Sequence, residues 1–112
     1  KWDFARLAQL CGELNVAHEH DCFMAVAMLV RAIADHVPPV FGCASFPEVA
    51  NNYADAASFK KSMQNLNQSL RNIADAHLHV QIRKSESVPT AVQVNFSADL
   101  DVLLAEVLRI AG

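Results

Sequence analysis

The chain has 112 residues, 53% of them hydrophobic and 19% charged, which suits one domain with enough apolar surface to bury a core. Three Gly and four Pro are too few for the many tight turns of an all-β fold. The net charge of −3 excludes a protein that grips long nucleic acid by bulk positive charge, so any RNA contact is expected to be local.

Cys11, Cys22 and Cys43 are an odd set without CxxC spacing. A disulfide framework is not expected, and a reducing, cytoplasmic setting fits better. The longest apolar run, residues 22–30, is too short to cross a membrane, so no membrane partner is expected. Lys1-Trp2-Asp3 carries no signal-peptide h-region. The absence of an initial Met gives the expectation of a single helical domain, residues 1–112, excised from a longer chain.

Hydrophobic spacing predicts four helices. Over residues 3–15, Phe4, Leu7, Leu10, Cys11 and Leu14 form one stripe, with Asp3 as N-cap. Over 18–36, Cys22, Val26, Leu29, Ile33 and His36 follow 4-3-4-3 spacing until Val37-Pro38-Pro39 stops the helix. Residues 40–57 read as a loop with one helical turn near Pro47. Over 57–79, Phe59, Met63, Leu66, Leu70, Ile73 and His77 repeat without error, with Ser58 or Asp55 as cap. Residues 80–82 turn β-like, 83–90 are a polar loop, and 93–96 are an extended lead-in. Ser97 then caps a last helix over 97–111. The fold class is all-α, a four-helix bundle.

Arg31 and Asp35 recur forty residues later as Arg71 and Asp75 within similar pentapeptides, each followed by histidine. The bland account is an i,i+4 ion pair ending each helix. The richer segment is 69–79, with Arg71, polar Asn72, His77 six positions after the Arg, and His79. This arrangement resembles the motif of the HEPN superfamily, helical RNase-like domains of defence and toxin–antitoxin or abortive-infection systems. The resemblance implies a HEPN-like bundle that dimerises so that two motifs face one cleft, and a metal-independent endoribonuclease or RNA-binding activity. By that carry-over His77 is the base, Arg71 the phosphate clamp and Asn72 a positioning group.

The chemistry is consistent, because metal-free RNA cleavage needs an imidazole to take the 2′-OH proton and a guanidinium to hold the phosphate. On a straight helix His77 lies roughly 120° from Arg71 and His79 roughly 80°, so His79 is an alternative base. Asp75, Arg31, Asp35 and His36 are supporting candidates, although Ala32 stands where the motif has a polar residue. Arg83 and Lys84 are candidates for RNA backbone contact. The cluster His18, His20, Asp21 and Cys22, with His77 and His79, matches no zinc spacing, and no metal or cofactor is expected. The reading from a different class is a non-catalytic dimerisation or interaction domain in which Arg71 and His77 serve structure.

Overall fold

The computed structural model describes residues 2–112. Five α-helices follow in order: α1 (Ala5–Glu19), α2 (Phe23–His36), α3 (Phe46–Asn52), α4 (Ala57–Ile73) and α5 (Ser97–Ala111). A 3₁₀ turn (Pro38–Phe41) follows α2, and a π turn (Ala74–Leu78) follows α4. No strand occurs among the described residues. The domain is all-α, with four of its helices where the hydrophobic spacing puts them and α3 where one helical turn is expected near Pro47.

The first hairpin departs from expectation at its turn. Helix α1 runs on to Glu19, and His18 lies inside it rather than opening the next helix. Two bonds end α1: Cys22 N–H donates to Ala17 O at 2.8 Å and Asp21 N–H to His18 O at 3.3 Å. This is a Schellman closure with Asp21 as its left-handed residue, at φ 55°. Glycine usually marks that position; aspartate tolerates it but gives a weaker signal. The closure folds α1 back along α2, its main neighbour.

Val26, Ala27, Val30, Ile33 and Ala34 bury the inner face of α2. The segment Phe23–Phe41 is apolar enough over 19 residues to match a membrane span by composition. Arg31 and Asp35 pair within it at 3.3 Å, and Pro38 and Pro39 break its helix. Its buried stripe identifies it as the core helix of this bundle.

Helix α3 starts at a capping signal that the Pro47 argument missed. Ser45 Oγ accepts the Glu48 N–H at 3.4 Å, and Glu48 Oε1 accepts the Ala44 N–H at 3.4 Å. Helix α4 has the cleanest stripe, with Phe59, Met63, Leu66, Leu70 and Ile73 all buried. It packs against α3, α5 and α2. Neither Ser58 nor Asp55 caps it; Ala56 holds that place without a side-chain bond. Asp3 and Ser97 are likewise not the capping residues. Asp3 Oδ1 still takes the Ala5 N–H at 2.9 Å, while Asn95 Oδ1 accepts the Ser97 hydroxyl at 2.8 Å.

The stretch expected to be extended, 93–96, is compact instead. Thr90 and Gln93 bond each other's backbone reciprocally, at 3.0 and 3.4 Å. This turn drops Val94 and Phe96 into the core.

Two glycines give opposite expectations for stability. Gly42 ends the 3₁₀ turn at φ 71° with open space around its Cβ position, so Gly42→Ala should cost about 1–2 kcal/mol through backbone strain alone. Gly12 lies inside α1, also with open space, so Gly12→Ala should add roughly 0.5–1 kcal/mol. Urea unfolding of the two variants checks both signs.

Candidate functional site

The end of α4 is where the helix and the candidate chemistry meet. After Ile73 the backbone widens: His79 N–H donates to Ala74 O at 2.9 Å, a bond across five residues instead of four. The wider turn changes which side chains stack. Residues five apart now share a face, and Asn72 and His77 line one surface depression with Ser69, Ile73, Ala76 and Gln93. Asn72 is held there by Gln68, whose Nε2 donates to its Oδ1 at 2.9 Å.

His77 also borders a second depression, of about 310 Å³, formed with Met24, Val80, Arg83, Glu86 and their neighbours. Its Nε2 is buried and has no hydrogen-bond partner. A desolvated, unpaired polar atom carries a penalty of ~1–3 kcal/mol, so this nitrogen stands out among the described side chains.

The other sequence candidates disperse. Arg71 is exposed, lines neither depression that His77 borders, and makes no ion pair with Asp75 among the described residues. The expected second Arg–Asp pair does not form: both side chains are exposed at the junction of α4 with the π turn. The Arg31–Asp35 pair, on a regular helix, does form. His79 and Lys84 are exposed. His36 ends α2 against Trp2, Phe4 and Pro39 in a separate groove, so Arg31, Asp35 and His36 lie outside the His77 depressions.

The residues weighed for metal do not assemble. No group of three or more His, Cys, Asp or Glu side chains comes together in metal-holding geometry among the described residues. His18 points to a groove under α5, and His20 lies 3.6 Å from Glu19. Burial pushes the Cys11 and Cys43 thiols up, away from nucleophilic thiolate.

One polar cluster was not anticipated from sequence. Glu106, on the inner side of α5, is buried at 8% exposure. It accepts from Arg109 Nε at 2.7 Å and from the Tyr53 hydroxyl at 2.8 Å. The Arg109 bonds hold its carboxyl down at about 2, against the opposing effect of burial. Burial and the Glu106 bond both raise Tyr53. Tyr53 also packs edge-on to Phe41 and Phe59, with centroids at 4.9 and 5.6 Å. The cluster thus ties the end of α3 to α5. A glutamate beside Leu103 and Val107 on an apolar face was the available signal.

Comparison with family models, curated proteins and solved structures returns no match to this chain.

The Glu106 cluster sets an acid limit. Its folded carboxyl titrates near 2 and its ordinary value is 4.5, so its stabilisation is complete above about 4.5 and is lost as pH falls towards 2. Acid unfolding followed by circular dichroism should therefore show a steeper loss over that window in wild type than in Glu106→Gln. Tyr53→Phe should lower stability by about 1–2 kcal/mol at neutral pH.

Proposed function

We propose that this domain is a HEPN-like helical module that binds RNA and cleaves it without metal. The observation that carries the reading is the π turn at the end of α4, where His77 and Asn72 line one surface depression. π turns frequently accompany functional sites, and here an imidazole and a positioned amide line the same depression. His77 acts as the base, through Nδ1 because Nε2 is enclosed. Asn72 orients the ribose or phosphate, and Arg83 lines the second depression together with His77. Arg71 serves the cleft from a second copy of the chain, with His79 at its rim. The domain works in the cytoplasm, within a longer defence or toxin-type protein.

The assembly is a homodimer. Exposed apolar side chains support it: Met24 and Met28 on α2, with Ile82 and Val88 in the loop between the π turn and α5, lie outside the core. Met24 and Val88 also line the second His77 depression, so a partner covering them would enclose that site.

The enclosed Nε2 favours a second reading as well. A histidine that turns one nitrogen into the core can be a packing residue, and the domain would then be a non-catalytic dimerisation module.

Two measurements separate these readings. Sedimentation should give a dimer, and a monomer at high concentration removes the composite cleft. With chelator present, single-stranded RNA should be cut by wild type and about 10²–10⁴-fold more slowly by His77→Ala. Arg71→Ala should also be slow, with His79→Ala closer to wild type. Folded variants that all cut as fast as wild type would rule out the site. A dimer with no cleavage would select the interaction module.

A further inference from the structure

The loop that follows the π turn holds a contact whose chemistry is that of an anion site already filled. Glu86 Oε1 accepts the backbone N–H of Arg83 at 2.8 Å, and Oε2 lies 3.8 Å from Arg83 Nε. One carboxylate oxygen is thus hydrogen-bonded by a main-chain donor, and the other lies at ion-pair distance from a guanidinium. Two oxygens of a phosphate group would meet those same donors. The contact sits on the rim of the second depression, where His77, Gln81 and Ser87 supply further polar groups and Lys84 is the neighbour in sequence.

We propose that Arg83 and its backbone N–H form a phosphate-binding site beside His77, and that Glu86 occupies it as an internal competitor. Both side chains are about half exposed, at 55% and 45%. The pair is therefore weakly held and can exchange for an incoming anion. The chain's negative net charge keeps stray anions off, and Glu86 raises that threshold at the site itself. A phosphodiester that enters displaces Glu86, gains Arg83 and lies against the imidazole. The assignment of RNA as the source of the phosphate rests on the proposed function; the phosphate site does not.

The probes are inorganic phosphate and a 2′-O-methyl oligouridylate, which carries phosphodiesters but no attackable 2′-OH. Both are titrated at matched ionic strength, with the Arg83 amide and Nε–H followed by NMR. Glu86→Gln keeps an acceptor for the Arg83 N–H and removes the charge. It should bind both probes roughly threefold to tenfold tighter than wild type, the range expected for releasing an exposed charge-assisted contact. Glu13→Gln makes the same change in net charge on α1 and should leave affinity unchanged. Adding Arg83→Ala to Glu86→Gln should abolish the gain.

The proposal is overturned if Glu86→Gln gains no more than Glu13→Gln, or if the gain survives without Arg83. A gain for inorganic phosphate alone supports the phosphate site and overturns RNA as its source. If the titrations behave as expected while wild type cuts no RNA, the anion site stands and the nuclease reading falls.

Discussion

The stripe Phe59, Met63, Leu66, Leu70 and Ile73 must leave water, and no single neighbour is wide enough to cover it. Helices α2, α3 and α5 each take a part of it, and these residues are at most 6% exposed. That demand explains the layout. The α1–α2 hairpin closes one side. Helix α3 is short because it spans only the start of the stripe, and the turn at 90–94 brings α5 in with Val94 and Phe96 as additional cover.

The same stripe explains why α4 changes pitch. Its spacing is nearer 3.5 than 3.6 residues per turn, and continued unchanged it would seat His77 where a core residue belongs. The π turn inserts one extra residue into the register. Ala74 becomes buried next to Ile73, and Leu78 packs against the core in the place that the repeat assigned to His77. The imidazole moves to the edge, half-buried, with one nitrogen inward. The core thereby gains a leucine, and the surface gains a histidine that shares a depression with Asn72.

Much of the helix content was legible because it rests on periodicity, which α4 and α5 display over several turns. The turns were less so. The α1–α2 boundary hinges on one left-handed Asp21, and α3 on the Ser45 cap within a stretch rich in loop residues. The candidate site was readable as a list of chemical groups but not as a constellation. Arg71, Asn72, Asp75 and His77 were placed on an ideal helix, whereas the chain widens after Ile73 and sets Asn72 and His77 along one depression that Arg71 does not line. Glu106 went unnoticed because an acid on an apolar face looks like a surface residue until Tyr53, fifty-three positions earlier, arrives to meet it.

A π turn is, in bookkeeping terms, a helix with one residue too many. The placement of His77 therefore depends on chain length as well as on side-chain identity. Deleting Asp75 would let the four-residue hydrogen-bond ladder run on, and Asn72 and His77 would no longer share a depression although both side chains, with Arg71 and His79, are still present. For this segment an insertion or deletion is the sharper change, and a comparison that counts matching letters without counting the spacing would overlook it.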